Sequence, residues 1–155
     1  GKLMGARVIA TARSTERLEA CLRLGADHVI DYSSGFRDKV LALTDGRGYD
    51  HIVELGGERT LPQSLRAIRP GGVISLIGVL SGGTMNAALG LAITRQVRLQ
   101  GVTVGHRDGF EAMLRAIELH QIKPVVDRVF AFEELKEAMA YLQSGAQFGK
   151  VCLAH

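Results

Sequence analysis

Strand-length apolar runs that end in glycine or a small polar residue alternate with helix-like segments through most of the chain. Ala6 to Thr11, Asp27 to Asp31, Asp50 to Leu55, Val73 to Ile77 and Arg98 to Val104 read as strands. Between them lie segments with apolar residues at helical spacing. That alternation builds βαβ units, which must close into a parallel sheet covered by helices, so the fold class is α/β.

The helix signals are local. Ser14 can cap a helix whose Leu18, Cys21 and Leu22 share a face, with Gly25 closing it. Phe36, Val40, Leu41 and Leu43 carry the next helix, and the turn Asp45 to Gly48 follows. Thr60 to Gln63 fits a capping box, with Pro62 in the first turn and Leu61, Leu65 and Ile68 facing inward. Pro70, Gly71 and Gly72 are expected to stop that helix. Ala87 to Ile93 forms an apolar helical stretch, and Asp108 with Glu111 a second capping box ahead of Phe110, Met113, Leu114 and Ile117. The tail is a β-α-β addition: a strand Val125 to Phe130, a helix Glu133 to Leu142 and a strand Gly149 to Leu153. Lys123 and Pro124 mark the boundary before it, giving segments 1–123 and 124–155.

Composition narrows the function classes. With 155 residues, 46% hydrophobic and 23% charged, the chain can bury a core of ordinary size. Its longest apolar stretches are strand-length, below the roughly 20 residues of a membrane helix, and no basic region leads into an apolar run at the start. A cytosolic location and no membrane partner are the expectation. The net charge of +3 comes from scattered residues, which gives nucleic-acid binding little support. Cys21 and Cys152 form no CxxC pair, and His28, His51, His106, His120 and His155 show no metal-ligand spacing, so no metal site is expected within this chain. No G-x-S-x-G elbow is present.

In an open parallel sheet, ligands bind at the carboxyl ends of the strands. Here those ends read Thr11-Ala12-Arg13-Ser14, Asp31-Tyr32, Leu55-Gly56-Gly57, Ile77-Gly78-Val79 and Val102-Thr103-Val104-Gly105. Glycine there lets backbone approach a ligand, although any tight βα turn uses it too.

The ordered set ARVIATARSTERLEACLRLGADHVIDY, GRGYDHIVELGG, SLRAIRPGGVISLIGVLSGG, LQGVTVG and SGAQFGKV resembles the nucleotide-binding half of medium-chain dehydrogenases and reductases, in the zinc-type alcohol dehydrogenase-like branch. The resemblance covers essentially the whole chain. It implies a Rossmann-like doubly wound parallel sheet that lacks its first strand and glycine-rich G-x-G-x-x-G turn, since family members place both just before the helical turn at Lys2 to Met4. The absent strand would run centrally, between the strands at Val8 to Thr11 and Asp50 to Leu55. The chain is therefore expected to be a piece of a longer enzyme, inactive alone, with a catalytic domain elsewhere and the parent's use of zinc left open.

The resemblance also implies the cofactor NADP, with NAD possible, and a small alcohol or carbonyl substrate. Arg13 and Ser14 would meet the 2′-phosphate, because no acid stands at that strand end and Glu16 falls inside the following helix. For Arg13 the alternative is an exposed surface arginine. Tyr32, Leu55, Gly56, Gly57, Ile77, Gly78, Val79, Val102, Thr103, Val104 and Lys150 match positions around the cofactor. For these the alternative is ordinary strand-end packing, and for Lys150 a solvated side chain. No residue of the chain is expected to be catalytic. A homodimer through the strand Arg98 to Val104 is expected, since that strand lies at the sheet edge.

Two other functions remain open at this point. Ile68-Arg69-Pro70-Gly71-Gly72 before a strand also resembles a turn of S-adenosylmethionine-dependent methyltransferases, which would want an acid where Arg13 and Ser14 stand. A non-catalytic oligomerisation module is the third reading.

Overall fold

The computed structural model describes residues 1–33, 35–84 and 89–155. It contains two compact units, Gly1–Val104 and Gly105–His155. The Lys123–Pro124 boundary expected from sequence lies inside the second unit, between its first helix and its first strand.

The first unit alternates β1 (Ile9–Ala12), α1 (Thr15–Arg23), β2 (His28–Asp31), α2 (Arg37–Leu43), β3 (Tyr49–Glu54), α3 (Leu61–Ala67), β4 (Ile68–Leu76), α4 (Leu89–Thr94) and β5 (Arg98–Gly101). The second holds α5 (Arg107–Leu119), β6 (Val126–Ala131), a 3₁₀ turn Phe132–Glu134, α6 (Leu135–Ser144) and β7 (Lys150–Ala154). Every described strand pairing is parallel: β1 with β2, β3 with β4, β4 with β5, and β6 with β7. The α/β class and parallel sheet read from the alternation are present.

The first unit carries two sheets, β1-β2 and β3-β4-β5. Among the described residues β1 is paired only by β2 and β3 only by β4, so each keeps one edge without a ladder partner. This is the break expected from an order in which one strand would run between them. Helix packing joins the halves. Ala67 of α3 closes a cluster with Ile30, Phe36 and Val40, while Leu61, Leu65, Ile68 and Ile74 form a second cluster, and the ring of Tyr49 packs against both. Gly48 permits this join: its φ is +89°, and a Cβ there would lie 2.6 Å from the Ala67 carbonyl oxygen.

Several boundaries differ from the sequence reading, for identifiable reasons. The first strand starts at Ile9, because the Val8 carbonyl and amide are taken by the backbone and side chain of Asp27. Pro70, Gly71 and Gly72 do not end a helix; α3 stops at Ala67 and these residues bulge within β4. Tyr49 pairs with Ile68 but His51 with Val73, and the Gly71 amide leaves the ladder for the Arg95 carbonyl.

Neither expected capping box forms. Thr60 makes no side-chain cap; its hydroxyl goes to Glu54. At α5 the cap is His106, whose Nδ1 accepts from the Gly109 amide at 3.4 Å, and Glu111 pairs with Arg107. Ser14 caps α1 as expected, accepting from the Arg17 amide. The Ala87 to Ile93 stretch is helical from Leu89, and Ala87 and Ala88 lie outside the described residues.

Candidate functional site

The carboxyl ends of β1 and β2 bring Arg13 and Tyr32 together. The Arg13 guanidinium lies 5.8 Å from the centroid of the Tyr32 ring, a cation–π distance, and the ring packs against the first core cluster. Ser14 beside it spends one lone pair on the α1 cap, which leaves its hydroxyl proton available. Asp31 accepts from the amide and hydroxyl of Ser33 at 2.8 and 2.6 Å, and these bonds hold its carboxyl below the usual carboxylate range. Among the described residues Arg13 thus has no carboxylate partner at its strand end, where it lies on an aromatic support.

The ends of β3 and β4 form a second constellation. The Ile77 and Gly78 amides donate to the Glu54 carbonyl, the Leu80 amide to Leu55, and the Ser81 amide to Gly56. Leu55–Gly57 and Ile77–Val79 are therefore one knitted surface, not two separate loops. Glycine is needed where they touch: a Cβ on Gly57 would lie 2.6 Å from the Gly82 carbonyl oxygen, and one on Gly78 2.7 Å from that of Leu55. Leu55, Ile77 and Val79 expose much of their apolar surface.

Beyond β5, Val102 is still bound to the sheet through its amide and the Leu76 carbonyl, while Val104 is 91% exposed. The amides of Val79, Thr103 and Val104 take no hydrogen bond within the described chain. Free amides beside exposed aliphatic side chains at strand ends fit a flat ring bearing a carboxamide, which asks for backbone partners and apolar contact. Lys150 belongs to the second unit, exposed at the start of β7, with its amide on the Val125 carbonyl.

One residue central to this surface escaped the sequence reading. Glu54, the last residue of β3, is only 4% exposed, and its carboxylate accepts from the Gly56 and Gly57 amides at 2.8 and 3.2 Å and the Thr60 and Ser64 hydroxyls at 2.5 and 2.6 Å. An acid closing an apolar strand before a Gly-Gly turn, with hydroxyl residues six and ten positions on, was the available signal.

A concave surface of about 500 Å³ between α2 and α3 is lined by Gly35, Phe36, Arg37, Asp38, Lys39, Gln63 and Arg66, and includes none of the expected cofactor residues. Among the described residues no three His, Cys, Asp or Glu side chains gather as metal ligands. No helix among them is long and apolar enough to cross a membrane.

A parallel α/β arrangement with glycine-bearing loops at the strand ends, continued by a short parallel β-α-β unit, is the nucleotide-binding half of a medium-chain dehydrogenase or reductase. The model of the family described as zinc-binding dehydrogenase matches residues 1–118, and the chain belongs to that family. It is 43% identical over 155 residues to a zinc-type alcohol dehydrogenase-like protein of Schizosaccharomyces pombe, covering 96% of this chain and 45% of that protein. The zinc-type alcohol dehydrogenase-like protein YogA of Leptosphaeria maculans is 32% identical, over 99% of this chain and 45% of its own length. A solved NAD-dependent alcohol dehydrogenase superposes with a TM-score of 0.92 at 33% identity, over 99% of this chain and 45% of that one. The chain spans about half the length of the curated relatives it matches.

Proposed function

We propose that this chain is the cofactor-binding portion of an oxidoreductase that moves a hydride between NADP(H) and a small alcohol or carbonyl compound. The observation that carries the cofactor preference is the strand end at Arg13: a guanidinium supported by Tyr32 with Ser14 adjacent, where an acid would grip a 2′-hydroxyl in an NAD enzyme. The same feature disfavours the methyltransferase reading, which would also want an acid there. Support for the nicotinamide end comes from the open amides at Val79, Thr103 and Val104 and from the exposed apolar side chains of Leu55, Ile77 and Val79 at neighbouring strand ends. When bound, the cofactor supplies the hydride carrier. The chain's own residues orient the ring, hold it against apolar surface and limit water at one face.

Polarisation of the substrate oxygen is assigned to a domain of the full-length enzyme outside this sequence, against which residues 124–155 would pack. The β5 edge would join two copies in a cytosolic homodimer.

Cofactor titrations of full-length enzyme test the reading. Replacing Arg13 with Ala should weaken NADPH binding by roughly 1.5 to 3 kcal/mol, the range for hydrogen bonds to charged groups, and NADH binding far less. Equal losses for both cofactors would show that Arg13 does not read the phosphate.

A further inference from the structure

Burying a carboxylate at a strand end is costly, and at this position packing alone does not ask for it. Glu54 lies on the α3-facing side of the sheet with Ile52, where an aliphatic side chain would fill the volume without a desolvation penalty. Four donors offset that penalty: two consecutive backbone amides and two hydroxyls. What the carboxylate adds is direction. It turns the Gly56 and Gly57 amides inward, which leaves the Gly56 carbonyl to accept from both the amide of Ser81, at 2.7 Å, and its hydroxyl, at 2.8 Å. The Ser81 hydroxyl also accepts from the Arg59 amide at 3.0 Å, and the Glu58 amide reaches the Gly82 carbonyl.

We propose that Glu54 is a positioning residue for cofactor binding: its carboxylate shapes residues 55–60, and Ser81 passes that shape to residues 77–82, so that Val79 and its open amide are in place before the cofactor arrives. This rests on the reading of the chain as a dinucleotide-binding domain. The network has little slack, since a Cβ on Gly56 would overlap the Thr60 hydroxyl and one on Gly78 would press on the Leu55 carbonyl. A loop held this way binds a ligand without first losing conformational freedom, and preorganisation of that kind appears in affinity.

The test uses full-length enzyme with Glu54→Gln, Glu54→Leu and Ser81→Ala, read by amide hydrogen exchange without cofactor, NADPH titration, and the split between cofactor KM and kcat. Glu54→Leu should raise exchange in both loops, leave β1 and β2 protected, and raise the Kd and KM for NADPH by about tenfold or more with a smaller change in kcat. Glu54→Gln keeps an oxygen for Gly56, Gly57 and Thr60, while the Ser64 hydroxyl can turn to accept from the new amide; binding should stay within about threefold of wild type. Ser81→Ala should leave residues 55–60 protected, loosen 77–82 and weaken NADPH by about threefold with little change in Tm.

A Glu54→Leu protein that loses Tm but keeps 77–82 exchange and NADPH affinity within about twofold of wild type would reduce Glu54 to a fold residue. If Glu54→Leu does not fold, Ser81→Ala decides: unaltered exchange at 77–82 overturns the proposal. Wild-type enzyme that binds neither NADPH nor NADH would refute the dinucleotide reading instead, and exchange in the two loops would still judge the Glu54–Ser81 linkage.

Discussion

Tyr49 offers a direct test of how the two halves of the first unit are joined. Its ring packs against both core clusters, yet its hydroxyl is buried with no hydrogen-bond partner among the described residues. Mutational data put an unpaired buried hydroxyl at about 1 to 3 kcal/mol, so Tyr49→Phe should keep the packing, remove the penalty and stabilise the protein by about 1 kcal/mol. Tyr49→Ala, which empties the junction, should cost about 3 to 5 kcal/mol. The same burial pushes the Tyr49 hydroxyl up to about 12 from an ordinary value of 10. Above pH 10 the unfolded chain gives up this proton while the folded chain keeps it, so stability falls as pH rises towards 12.

Each pH unit in that window costs at most about 1.4 kcal/mol, and partial exposure of the ring brings the total to roughly 1 to 2 kcal/mol. Urea denaturation of wild type and Tyr49→Phe at neutral pH and across the alkaline window measures both effects, and the difference between the proteins cancels every other titrating group. Tyr49→Phe less stable than wild type at neutral pH, or with an identical alkaline slope, would refute the reasoning.

Asp50 sits between Arg47 and Arg69, whose hydrogen bonds hold its carboxyl well below the usual carboxylate range. The network stabilises the fold above the ordinary carboxylate pKa and is lost as pH falls below it. Because Asp50 is well exposed, Asp50→Asn should cost no more than about 1 kcal/mol, and chemical denaturation should show that cost shrinking in salt. At the proposed dimer edge, the Val102 amide is spent on the Leu76 carbonyl, so a proline there would break the β4–β5 ladder itself. The alternation of a parallel ladder turns Leu99, Gly101 and Thr103 outward, and Thr103→Pro should move the full-length protein from dimer to monomer in sedimentation with its fold retained. Wild-type protein that sediments as a monomer at micromolar concentration would remove that interface.

What the sequence determined by itself is the class of fold and which residues stand at the strand ends. Apolar runs separated by amphipathic segments leave a parallel sheet as the arrangement that buries both faces, and a parallel sheet puts its loops at the strand ends. Arg13, Leu55 to Gly57 and Ile77 to Val79 could be named because strand position follows from chain order. What sequence could not decide is how polar groups pair across that order. Thr60 and Glu111 each fit a capping rule three residues from a partner, yet the Thr60 hydroxyl is taken by a carboxylate six residues back and Glu111 by Arg107. Pro70 to Gly72 reads locally as a helix stop, yet pairing of β3 with β4 on both sides of it makes it a bulge. Glu54 reads as one more acid until the strand end, the Gly-Gly turn and α3 close around it. Hydrophobic periodicity is written along the chain, whereas the satisfaction of a buried carboxylate exists only once distant donors have been brought within hydrogen-bond reach by the fold.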